Sequence, residues 1–131
     1  MGLPHHCSYL TLGPDRGTDK TEPVDDVKWL FETQGQDCCV MVSSSKPIPA
    51  KGTKADKDPQ PPHRQAANYY REVASDKDGD FVVTMQHPKP SSPKPIVVEI
   101  SGLGAKLKKT QVVGSAAVTA SAAPRAGLRA G

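Results

Sequence analysis

The hydrophobic positions of the chain fall into short runs separated by polar, proline-marked stretches. Residues 7–12 (Cys-Ser-Tyr-Leu-Thr-Leu) have the composition of a short strand, with Tyr9 or Leu10 facing a core, and Gly13-Pro-Asp ends it. Over 21–35, Val24, Val27, Leu30 and Phe31 recur at helical spacing. Thr21 is placed to cap that helix, Glu22, Pro23, Asp25 and Asp26 suit its first turn, and Gly35 suits its exit. Val27, Trp29 and Phe31 also alternate, so a strand competes over 22–34, and the end signals favour the helix. Residues 37–43 (Asp-Cys-Cys-Val-Met-Val-Ser) read as a buried strand.

Further along, Ala66, Tyr69, Tyr70 and Val73 line up as one face of a helix. The same stretch, 65–74, also reads as a strand turning at 75–79 into the next apolar run, and both readings stay open. Residues 81–85 and 96–100 read as strands, and 110–113 as a last one. The fold expected is α+β: a small sheet of three to five short strands with one or two helices, against an alternative all-β sandwich. Residues 1–42 and 65–113 form the two halves of one small domain. Residues 43–64 are a Pro/Lys-rich linker or insertion, and 114–131 are an Ala/Gly/Arg-rich, flexible basic tail.

Composition narrows this picture. Among 131 residues there are 13 prolines and 11 glycines, equal in number to all the valine, leucine, isoleucine and phenylalanine together. No apolar run approaches the roughly 20 residues that a bilayer-spanning helix requires, so no transmembrane segment is expected. With the proline- and alanine-rich stretches set aside, the remainder is a domain that buries only about 60% of its unfolded surface. Segment 43–64 has too few apolar groups to offset its ordering entropy and reads as flexible.

The net charge of +3 is unevenly spread: the first 45 residues are acidic on balance, and from residue 101 onward every charge is positive. Lys106, Lys108, Lys109, Arg125 and Arg129 suit contact with a polyanion or an acidic partner surface. No aromatic residue lies among them to stack on bases, so nucleic-acid contact would be with phosphates. The segment Lys108-Lys-Thr-Gln-Val-Val113 resembles the lysine-x-threonine-glutamine segments that dynein light chains hold, which implies binding by strand addition.

The remaining candidate chemistry is sparse. Asp76-Lys-Asp-Gly-Asp80 has alternating carboxylates like a calcium loop, but Phe81 stands where the sharp turn needs glycine, and an acidic turn is the better account. Residues 13–21 lack the lysine directly after a glycine that a phosphate loop needs. His5, His6, Cys7, Cys38 and Cys39 are the soft-metal candidates. Adjacent cysteines in a strand point to opposite faces, so Cys38 and Cys39 can share a metal only if the strand breaks there. Buried or free thiols are the expectation, with no cofactor. Three cysteines and a start without a secretory pattern place the chain in a reducing compartment, the cytoplasm.

No nucleophile, base and orienting group can be assigned together, so the chain reads as non-enzymatic. The function expected is a small interaction or assembly subunit that binds a larger protein or complex through its proline-rich and basic segments. Two alternatives stand beside it: a thiol or metal-binding protein using Cys7, Cys38 and Cys39, and a nucleic-acid accessory protein acting through the basic C-terminal region.

Overall fold

The apolar run at 37–43 supplies β1 (Val40–Ser43), the strand on which the main sheet is built. In the computed structural model, which describes residues 1–109, α1 (Asp25–Lys28) precedes it and continues into a wider π turn (Trp29–Thr33). After β1 come α2 (Arg64–Asp76), β2 (Asp80–Val83), β3 (Val98–Ser101) and β4 (Gly104–Leu107). Short 3₁₀ turns occupy Tyr9–Thr11 and Ala55–Lys57. Two helices and four short strands in two small sheets make this an α+β domain. Among the described residues no helix is long and apolar enough to cross a membrane. The strand expected at 110–113, the tail 114–131, and Arg125 and Arg129 lie outside the described residues.

Parallel strands need a crossover between them, and α2 is that crossover. β1 and β2 run parallel in the register Val40↔Asp80 to Ser43↔Val83. The opposite edge of β1 is taken by residue 2: the Gly2 N–H donates to Val40 O at 2.8 Å and Gly2 O accepts from Val42 N–H at 2.9 Å. The topology settles 65–74 as helix. Its buried face is the expected stripe of Ala66, Tyr69, Tyr70 and Val73, together with Ala67 and Ala74. The Tyr70 ring stacks on Phe81 at 5.8 Å and meets Phe31 edge-on at 5.5 Å. These aromatics join the sheet, α2 and the π turn in one core with Cys7, Leu12 and Met41.

Two local expectations are corrected. Residues 7–12 do not extend: His6 and Cys7 take left-handed backbone, and the Ser8 hydroxyl accepts from Leu10 N–H to start a 3₁₀ turn. Tyr9 packs against the core while Leu10 is exposed. The first helix begins at Asp25, after Thr21, because Thr21 is engaged elsewhere: fully buried, it donates its hydroxyl to Arg16 O and its N–H to Gln65 O.

Segment 43–64 makes polar ties to the rest of the domain, contacts that counting apolar residues does not register. Asp56, buried, accepts from Arg64 Nε at 2.8 Å and from Gly52 N–H at 2.9 Å, and these partners hold its carboxyl below the ordinary value. Arg16 reaches across to Gln65 Oε1 and to the carbonyls of Asp56 and Asp58. Arg64 also contacts Asp19 and Thr18 O, so the loop and residues 16–21 share one cation network at the start of α2.

His63 closes that network. It is 1% exposed, its Nδ1 accepts from Tyr9 N–H at 3.2 Å, and its Nε2 donates to Pro59 O at 3.0 Å. That pattern needs the neutral ring, and burial pushes its pKa below the ordinary 6.5. A lowered pKa in the fold means that the folded state resists protonation. The His63 contribution is therefore complete above pH 6.5 and is lost as pH falls below that value. Urea midpoints should drop between pH 7.5 and pH 5, and a His63→Gln variant should flatten that slope; an unchanged slope would remove His63 as the cause.

Candidate functional site: an apolar cleft beside two free thiols

The second sheet is a hairpin, β3 to β4, in the register Val98↔Leu107 to Ser101↔Gly104, closed by Gly102 and Leu103. Gly104 takes φ +115°, a conformation that suits glycine at the exit of this turn. Sequence reading missed β4 by treating 102–109 as a basic stretch. The signal was present in Gly102-Leu-Gly followed by alternating Ala105, Lys106, Leu107 and Lys108.

The tip of this hairpin forms one wall of a cleft of about 680 Å³. The N-terminal residues Met1 to His5, the π turn, and residues 34–39 form the others. Phe31, Met41, Tyr70 and Val73 make the apolar floor, so the core aromatics are also the cleft's base. The volume is within the roughly 300–1,000 Å³ typical of binding pockets. Two apolar side chains of the cleft stand uncovered: Leu30 is 54% exposed and Leu103 is fully exposed.

The floor is chemically quiet. The Tyr70 hydroxyl donates to Thr11 Oγ1 at 3.3 Å, because the Thr11 hydroxyl is itself spent on Ser8 O. Burial keeps the Tyr70 phenol protonated, raising its pKa. Tyr69 donates to Glu32 Oε1 at 3.1 Å, and burial together with that carboxylate raises its pKa too.

The soft-metal candidates separate. Cys7 is fully buried beneath α2, its thiol directed at His63 O at 3.9 Å, and burial pushes its pKa up to about 12. His6 bonds Ser44 O at 3.0 Å on the other side of the N-terminal turn. His5, Cys38 and Cys39 all line the cleft. Among the described residues no three His, Cys, Asp or Glu side chains gather as a metal site, and no hydrogen bond joins a histidine ring to a thiol. All three cysteines are free; Cys38 is exposed and Cys39 half-buried. Alkylation of the folded protein should accordingly modify Cys38 first and leave Cys7 untouched until unfolding. Peptide mapping after limited iodoacetamide treatment reads this order, and early labelling of Cys7 would contradict it.

Lys106, Lys108 and Lys109 are exposed on and after β4. Lys106 sits opposite Glu99 across the hairpin, and Lys108 Nζ lies 3.6 Å from Glu99 Oε2, so one acid partly offsets this basic group. The acidic turn at 76–80 ends α2, where Asp78 takes φ +51° and Gly79 N–H returns to Ala74 O. Comparison with known protein families, with curated proteins and with solved structures finds no match to the chain.

Proposed function

We propose that the protein is a non-enzymatic binding module that docks a larger protein partner at the apolar cleft. The observation that carries this reading is the pair of uncovered leucines, Leu30 and Leu103, lining a cleft with an aromatic floor. Contiguous exposed apolar surface beside polar residues is the usual mark of an interaction site. The occupant is an apolar segment with acidic flanks, since Lys106, Lys108 and Lys109 stand on the hairpin whose tip forms the cleft wall. The proline-rich segment 43–64 has a different part in this reading: its ties to Arg16 and Arg64 brace the domain. The three free thiols fit a reducing compartment such as the cytoplasm.

Affinity capture from one cell extract tests this with three baits: the natural chain, Leu30→Asp/Leu103→Asp, and Lys106→Glu/Lys108→Glu/Lys109→Glu. All five positions are exposed, so the fold should tolerate the changes. A protein retained by the natural chain should be lost from the leucine variant and weakened in the lysine variant. Retention by the leucine variant, or capture that nuclease abolishes, would overturn the reading in favour of a polyanion site.

A further inference from the structure

Adjacent cysteines on a regular strand diverge, and β1 avoids this by starting at Val40. Cys38 takes φ +56°, a left-handed conformation that costs energy for a residue with a side chain. The segment 77–80 holds it there. The Cys38 N–H donates to Lys77 O at 2.6 Å, and Cys39 O accepts from Asp80 N–H at 2.8 Å. Gly79 packs so closely on this peptide that an added Cβ would overlap the Cys39 carbonyl oxygen. The result is that Cys38 and Cys39, both free, line the same cleft.

Two adjacent free cysteines lining one cavity have two joint outcomes, a mutual disulfide or shared ligation of a soft centre. The disulfide is strained, because neighbouring Cα atoms stand about 3.8 Å apart, inside the roughly 4.4 Å lower limit for disulfide-bonded pairs. That strain disfavours the mutual disulfide and leaves the pair available as a dithiol. A closed zinc site needs four ligands, and no third His, Cys, Asp or Glu joins these two among the described residues. What fits is a centre that is soft, takes two thiolates, and carries its third substituent into apolar surroundings.

We propose that Cys38 and Cys39 form a chelating site for a trivalent arsenical bearing one apolar substituent, with that substituent seated in the cleft against Phe31. The step is a condensation without redox change: R–As(OH)₂ and two thiols give R–As(S–Cys)₂ and two waters. Two As–O and two S–H bonds break, two As–S bonds form, and each thiol proton leaves in water. The site shares the cleft and Leu30 with the protein-docking reading, but the two fail separately, because arsenic capture needs both thiols and partner docking needs neither.

Phenylarsine oxide, hydrated to the dihydroxy form, is the probe, added to the reduced full chain. Intact mass should show one phenylarsenic adduct, and titration of the folded protein should find the Cys38 and Cys39 thiols both consumed. Ethanedithiol should reverse the adduct where an equal amount of a monothiol does not. Cys38→Ser and Cys39→Ser should each weaken binding about 100-fold or more, the effective-concentration advantage of a second tethered ligand. Cys7→Ala should bind unchanged, and where that variant does not fold, peptide mapping of the natural adduct gives the same information. Leu30→Asp should weaken the phenyl compound more than arsenite. Binding through one thiol, involvement of Cys7, or indifference to either serine variant would overturn the proposal.

Discussion

Tyr70→Ala is expected to lower stability by about 3–5 kcal/mol, the range for removing a large buried ring. The ring is 1% exposed and touches Phe31, Tyr69 and Phe81, which come from the π turn, α2 and β2. Its loss opens a void at the point where three elements meet. A loss of that size consumes much of the roughly 5–15 kcal/mol by which domains are stable. Urea denaturation followed by far-ultraviolet circular dichroism measures it. Tyr70→Phe keeps the ring and forfeits only the bond to Thr11, so it should cost about 1 kcal/mol. Equal losses for the two variants would show that the hydroxyl, and not the packing, matters.

Gly79→Ala should be almost as damaging, at about 3 kcal/mol, the upper part of the range for forcing an atom into packed structure. The added methyl meets the Cys39 carbonyl oxygen and lies 2.8 Å from Cys39 N, both of them backbone atoms that cannot rotate away. Relief requires moving β2 off the end of β1, which breaks the Asp80 N–H bond to Cys39 O. Amide exchange at Asp80 should quicken more than at Tyr70, in the middle of α2; uniform acceleration would point to global unfolding instead.

The sequence was most legible where local signals agreed with the fold's needs. The apolar run at 37–43 and the run at 81–85 had no rival pattern, and both supply strands of the main sheet. The stretch 65–74 was ambiguous because Tyr69, Tyr70 and Val73 suit either period, and only the parallel pairing of β1 with β2 decides it. Residues 7–12 went astray because Ser8 diverts the backbone by capping Leu10, a local hydrogen bond that outweighs β propensity. Thr21 looked like a cap, yet its hydroxyl goes to Arg16 O, a partner on the preceding turn.

The candidate site was less legible still. His5, Cys38 and Cys39 were named as candidates, but the walls that make them neighbours come from residues 1–5, 27–39 and 103–105. Such a cleft exists only once long-range packing has formed. The condition under which Cys38 and Cys39 could act together, a break in the strand, was readable as a requirement; its fulfilment depends on Lys77, Gly79 and Asp80. Likewise the contacts that tie 43–64 to the domain rest on Arg16, Asp56 and Arg64, and Arg16 stands 40 residues before Asp56 in the chain.

Because β1 is flanked by residue 2 on one edge and by β2 on the other, neither of its neighbours lies close to it in the chain. Two wide loops must close before the main sheet exists, and loop closure carries an entropy cost ahead of any reward from pairing. The rate of folding is thus set by chain topology, with α2 able to form early and the sheet late. In stopped-flow refolding, helical signal should precede burial of the Cys7 thiol, and a newly made chain passes through an interval in which the edges of β1 lie open.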